Sequence, residues 1–89
     1  MAWKIELSGL AQRNLKQLDR KVARRILVFL HGRLAPLDDP RSIGQALRGS
    51  SMRQFWKYCV GDWRIIASIE DRNIRILAVR IGNRREVYR

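Results

Sequence analysis

The segment FWKYCVGDWRII, residues 55–66, sets Lys57, Cys59 and Arg64 among aromatic and β-branched residues. These side chains are of types that act on anions or electrophiles. Lysine and arginine stabilise negative charge, arginine through planar, bidentate contact with phosphate or carboxylate, and a thiolate is a nucleophile. A cysteine nucleophile needs an activating base beside it, yet the one histidine, His31, falls on a different element. Cys59 therefore reads as a strand residue. A single Cys and a single His exclude an intramolecular disulfide and a zinc cluster, and neither a metal site nor a cofactor is expected. What remains is a chemistry of concentrated positive charge.

The whole composition points the same way. The 89 residues carry 19 Lys and Arg against 8 Asp and Glu, a formal charge of +11. Packing does not require that imbalance, and self-repulsion of this size opposes compactness, so a polyanionic partner is implied. Charge alone would also suffice for a general nucleic-acid-binding module. With 46% hydrophobic residues, 6 Gly and 2 Pro, the chain has the make-up of a folded globule rather than a disordered tail. Its length suits one domain over residues 1–89. No apolar run resembles a signal peptide or a span, so the expected location is cytoplasmic, with no membrane partner.

Elements that position the basic residues follow from periodicity. AWKIEL, residues 2–7, alternates as a half-buried strand, and Ser8 stands as a helix N-cap. From Leu10 to about Leu34 the apolar residues recur at helical spacing, with a break near Asp19, giving a helical hairpin or a bent helix. Arg20, Lys21, Arg24 and Arg25 crowd the start of the second helix, an unfavourable place for cations that an external anion would relieve. RLAPLDDPRS is a loop.

Residues 54–60, 62–70 and 74–81 read as a three-stranded antiparallel meander turning at Gly61-Asp62 and Arg72-Asn73. That register opposes Val60 to Trp63, Tyr58 to Ile65, Trp56 to Ala67, Ile69 to Ile76 and Glu70 to Arg75. Trp56, Tyr58, Val60, Trp63 and Ile65 share the core face; Lys57, Cys59, Arg64, Ile66 and Ser68 share the other, with Cys59 across from Arg64. A one-residue slip would bury the charges. The fold class is α+β: an N-terminal strand, a helical hairpin and the meander, with helices on one face of a four-stranded sheet. The ending GNRREVYR trails across that sheet.

The order of these elements resembles the RelE/ParE toxin superfamily of bacterial toxin–antitoxin systems over almost the whole chain. The matching features are LKQLDRKVARRI in the helical hairpin, LRG at residues 47–49, the WKYCVGDWRII hairpin and the ending IGNRREVYR. Resemblance to RelE-type members implies an endoribonuclease that enters the ribosomal A site and cuts the mRNA codon there. Resemblance to ParE-type members implies a non-enzymatic toxin acting on DNA gyrase. Shared fold does not decide between them; the site must.

The RelE-type resemblance assigns Arg64 to the scissile phosphate, Arg84 to the basic residue after the last strand, Tyr88 to the tyrosine near the C-terminus, and Lys57 to the first basic position of the strand before the hairpin. Cys59 occupies the second basic position, a departure. The expected catalytic set is thus Lys57, Arg64, Arg84 and Tyr88. Contacts to mRNA and ribosomal RNA are expected from Arg13, Lys16, Arg20, Lys21, Arg24, Arg25, Arg48, Arg53, Arg85 and Arg89. The resemblance further implies a cognate acidic antitoxin, and operator DNA reached only through it.

RNA cleavage needs the 2′-hydroxyl deprotonated, the pentacoordinate phosphorus stabilised and the 5′-oxygen protonated, work often done by histidines or carboxylates. Neither type lies among the expected site residues. A dense positive field can stabilise the transition-state charge and draw a neighbouring phenol's pKa down from about 10. The expected roles are Tyr88 as base helped by Lys57, Arg64 on the non-bridging oxygens and Arg84 at the leaving group. Free mRNA should be cut poorly, since the ribosome supplies the substrate geometry.

Overall fold

The computed structural model describes residues 2–47 and 55–85. Arg48, Arg53, Tyr88 and Arg89, and the LRG segment beyond Leu47, lie outside the described residues.

Strand β1 (Lys4–Leu7) leads into helix α1 (Gly9–Gln17), which Ser8 caps by accepting the Ala11 N–H at 3.0 Å. The expected break falls at Leu18–Asp19, where Leu18 is extended and Asp19 caps α2 (Arg20–Val28) by accepting the Lys21 N–H at 3.2 Å. That carboxylate sits at the positive helix end and offsets part of the Arg20 and Lys21 charge. The helix runs on into a π-helical turn, Phe29–Leu34, closed by Ala35 N–H donating to Leu30 O at 2.9 Å. Leu30 and Leu34 are both buried there.

Strands β2 (Gln45–Ala46), β3 (Trp56–Val60), β4 (Trp63–Glu70) and β5 (Arg75–Asn83) complete a five-stranded sheet in the order β1-β5-β4-β3-β2. β1 runs parallel to β5, and the other neighbours are antiparallel. The anticipated meander register holds at all the quoted pairs, including Cys59 opposite Arg64 and Glu70 opposite Arg75. Both helices pack on one face, where Ala11, Ile26 and Leu30 meet Tyr58, Ile65, Ile76 and Ala78.

Four features depart from the sequence reading. A fifth strand, β2, pairs Gln45 with Lys57 and Ala46 with Trp56; two residues are too few to show alternation. It is positioned by Tyr58, whose hydroxyl donates to Pro40 O at 2.8 Å, and whose ring lies so close to Gly44 that a Cβ there would come within 2.9 Å of it. Second, β5 extends through Gly82 and Asn83, which pair with Arg64 and Trp63, so the ending begins as strand rather than as a trailing segment; the first residues of β4 need those backbone partners.

Third, a bulge at Val79 shifts the β4–β5 register between Ile66–Arg80 and Ala67–Ala78. Fourth, Ile66 is only 8% exposed although it lies on the outer face. The turn after Glu70 is a 3₁₀ turn (Asp71–Asn73) that ends with Ile74 left-handed at φ 49°, while Gly61 takes φ 60° in the β3–β4 turn.

Candidate functional site

The outer sheet face is ordered by rows across β3, β4 and β5. One row is Lys57–Ile66–Arg80 and the next is Cys59–Arg64–Gly82. Arg64 is therefore diagonal to both Lys57 and Arg80, a relation that sets Cβ atoms about 7–8 Å apart. Lys57 and Arg80, two strands apart, have Cα atoms about 10 Å from each other. Ile66 sits between them, covered where long aliphatic stems can lie over it.

The bulge is what brings Arg80 to this face. Ile76 and Ala78 point into the core; strict alternation would send Arg80 after them, and the extra residue Val79 sends Ile81 inward instead. Bulging frees backbone groups, and α1 satisfies them. Ser8 Oγ donates to Val79 O at 2.7 Å, and Asn14 Oδ1 accepts the Ile81 N–H at 3.0 Å.

Arg64 is held at the hairpin tip, its Nη1 donating to Gly61 O at 2.9 Å and to Trp63 O at 3.0 Å. Its Nε and Nη2 carry the remaining donors, enough for a bidentate contact. Arg84 reaches the same turn through its backbone, its N–H donating to Asp62 O at 2.9 Å. Arg85 is next, its N–H on Asn83 Oδ1 at 3.0 Å. Lys57 and Cys59 line an open groove of about 390 Å³ with Phe29, Arg33 and Gln45. Arg13 and Lys16 lie exposed on α1, and Arg20, Lys21, Arg24 and Arg25 lie exposed on α2.

Among the described residues, the outer-face carboxylates Glu6 and Glu70 are committed elsewhere. Glu6 and Glu70 both bind Arg75, at 2.9 Å and 2.6 Å, at the opposite end of the face. Those hydrogen bonds, Glu70's first, raise the Arg75 pKa well above its ordinary value. Arg41 is held by Asp71 at 2.6 Å and by Asp39 at 3.4 Å, with its guanidinium 6.0 Å from the Trp56 ring centroid. Tyr58 is no base, because burial pushes its phenol up to about 12. Among the described residues no group of three or more His, Cys, Asp or Glu side chains could hold a metal ion, and no helix is long and apolar enough to cross a membrane. The arrangement can bind and stabilise phosphate-like charge.

The profile of a family described as "ParE toxin of type II toxin-antitoxin system, parDE" matches residues 5–88. The chain belongs to this family, and so to the RelE/ParE toxin superfamily. Toxin RelE of Mycobacterium tuberculosis is 28% identical over 85 residues, covering 96% of this chain and 84% of the relative. The toxin of the M. tuberculosis RelBE2 toxin–antitoxin complex shares the fold at a TM-score of 0.83 and 19% identity, covering 93% of this chain and 92% of that one. In the archaeal RelE–RelB complex from Pyrococcus horikoshii the TM-score is 0.75 at 21% identity, with 98% and 100% covered. This RelE-like chain is a type II toxin.

Of the expected catalytic set, Lys57 and Arg64 share one face and Arg84 joins Arg64 at the hairpin tip. One residue, Arg80, escaped the sequence reading of the site, although it was readable in principle, since an arginine in core phase followed by an off-phase Ile81 signals a bulge. Arg25 was expected as an RNA contact on its helix; its approach to Gly61 is tertiary.

Proposed function

We propose that this toxin, as a single RelE-like domain over residues 1–89, is a ribosome-dependent endoribonuclease that cuts mRNA in the A site. The reading rests chiefly on the diagonal of Lys57, Arg64 and Arg80 on one sheet face, with the Arg84 backbone at the same end. A gyrase-binding toxin has no need of guanidinium donors gathered for a phosphate. The 2′-oxygen attacks phosphorus, the P–O5′ bond breaks, and a 2′,3′-cyclic phosphate and a 5′-hydroxyl result.

Arg64 would bind the non-bridging oxygens with its unused Nε and Nη2 donors, and Lys57 would favour ionisation of the attacking group. Tyr88 takes the 2′-hydroxyl proton, and Arg84 stabilises the departing oxygen. The proton that oxygen requires comes from solvent or from the protonated base, since a guanidinium is a poor acid. The remaining basic side chains on α1 and α2 hold mRNA and ribosomal RNA backbone.

An antitoxin is the natural neutraliser, as in the RelE–RelB complexes of the structural relatives, and an acidic one would suit this basic chain. The groove lined by Arg24, Arg25, Val28, Phe29, Arg33 and Val60 offers an apolar floor with a cationic rim to such a segment. Operator DNA would be reached through that antitoxin.

Primer extension on a translated message tests the proposal. Cuts phased to the A site, lost when translation is blocked and lost in Tyr88→Phe, are the expected result. Intact message with inhibited gyrase supercoiling would replace this reading with the ParE-type one.

A further inference from the structure

The β3–β4 turn gathers more charge than a hairpin needs. Gly61 O accepts from Arg64 Nη1 at 2.9 Å. A Cβ built on Gly61 would lie 3.4 Å from Arg25 Nη2 and 4.0 Å from Arg25 Nη1. One glycine is thus approached by two guanidinium groups, one delivered by β4 and one by α2. Among the described residues the ion pairs belong to Arg41 and Arg75, and none involves Arg25 or Arg64. The Arg84 backbone adjoins the same turn through Asp62 O.

Two like charges held against one turn repel each other, and an anion that contacts both converts that repulsion into attraction. Planar guanidinium forks are matched to phosphate oxygens. Gly61 matters for its backbone, because a φ of 60° suits glycine; a Cβ there would make only ordinary van der Waals contact with the Arg25 fork.

From this geometry we infer that Arg25 and Arg64, both brought to Gly61, form a phosphate subsite that holds a backbone phosphate of the RNA strand being cut. This rests on the endoribonuclease reading for the identity of the strand, but the anion site itself does not. Arg25 is thereby moved from general surface charge to a positioning residue whose partner is a particular phosphate. The crowding of cations on α2 has a purpose at one of its positions.

Binding of a 2′-O-methyl RNA oligonucleotide, which cannot be cleaved, is measured against salt concentration for the full chain, Arg25→Gln, Arg25→Lys and Arg72→Gln. Arg72 lies in the turn at the opposite end of the sheet and serves as the charge control. Loss of one phosphate contact lowers the slope of log K against log salt by about 0.7, with about a tenfold loss of affinity for Arg25→Gln, partial recovery in Arg25→Lys and no change in Arg72→Gln. An Arg25→Gln variant indistinguishable from Arg72→Gln overturns the subsite.

A second arm separates the source of the phosphate. With saturating toxin on programmed ribosomes, Arg25→Gln should slow single-turnover cutting while its affinity for vacant ribosomes stays unchanged. Weaker ribosome binding with an unaltered saturated rate would assign the phosphate to ribosomal RNA and refute the inference. If wild-type protein cuts no message yet the salt slope still falls in Arg25→Gln, the endoribonuclease reading fails and the phosphate subsite stands.

Discussion

Replacing Arg64 by methionine should abolish most of the proposed RNA cleavage while leaving the fold in place. In the free protein Arg64 makes two hydrogen bonds to turn carbonyls, at 2.9 and 3.0 Å. Each contributes on the order of 0.5–1.5 kcal/mol when formed, less where water can substitute. Against that stands repulsion from Lys57 and Arg80, each diagonal to it in the sheet. At about 7–8 Å between Cβ atoms and water-like screening, each pair costs roughly 0.5 kcal/mol, rising toward 2 at an effective dielectric of 20. Arg64 is half-buried at the surface, so the lower figure is the better guide. Losses and gains nearly cancel, and the melting temperature should move by less than about 5 °C.

The transition state of the proposed cleavage has no such cancellation. In that reaction charge on the non-bridging oxygens would grow as the 2′-oxygen adds, and a donor aimed at it is worth about 10²–10³ in rate, or about 2.7–4 kcal/mol. Arg64→Lys keeps the charge but loses the fork and the anchoring to Gly61 O, so it should fall between the two. Single-turnover cleavage on programmed ribosomes, with ribosome affinity measured separately, reads these effects. A folded Arg64→Met protein that cuts within about threefold of wild type would refute the reasoning, because no other described side chain is pinned at this place.

Three further outcomes follow from the same structure. Asn14→Ala leaves the Ile81 N–H without its acceptor, which should cost about 1–3 kcal/mol in denaturant unfolding and loosen the bulge that carries Arg80. Ile74 is a β-branched residue at φ 49°, so Ile74→Gly should stabilise the chain by roughly 1 kcal/mol in thermal unfolding. Tyr58 ionises near 10 when unfolded and at about 12 in the fold, so its contribution is complete below pH 10 and fades as pH rises from about 10 to 12. Tyr58→Phe should be the less stable protein at neutral pH, where Pro40 O loses its donor, and its deficit against wild type should shrink across that alkaline window in urea titrations.

How much of this could be read from the sequence depends on whether a feature is local. The β3–β4 hairpin was legible because Gly61 forces a turn and the aromatic alternation on either side admits one register, so Lys57 and Arg64 fell on one face by arithmetic. The break between the helices was legible because Asp19 is a good cap placed between two apolar periods. β2 was not, because Gln45 and Ala46 have no strand pattern and owe their place to Gly44 against the Tyr58 ring. Nor was the burial of Ile66, which by its strand phase lies on the outer face between Lys57 and Arg80. The hairpin's pairing could be predicted, but the approach of Arg25 to its tip depends on where α2 lands on the sheet, which no local rule encodes.

The outer face therefore has two ends with opposite electrostatic fates. At one, Arg75 is paired with both Glu6 and Glu70, a cluster that stitches β1, β4 and β5 together. At the other, Arg64 and Arg25 gather around Gly61 with no described carboxylate paired to them. A chain with 8 acidic residues could have placed one beside the hairpin tip to relieve the repulsion. Asp62 is in that turn, yet it forms no ion pair with Arg25 or Arg64 among the described residues. Sequences usually retain such an unrelieved cluster where an anionic ligand makes up the difference. The devices that build this end are a bulge at Val79 held by Ser8 and Asn14, a left-handed glycine, and a helix aimed at the turn, and each gives up some local stability or regularity. Their common effect is to deliver cations from three separate elements to one place, the arrangement that the proposed phosphodiester substrate would call for.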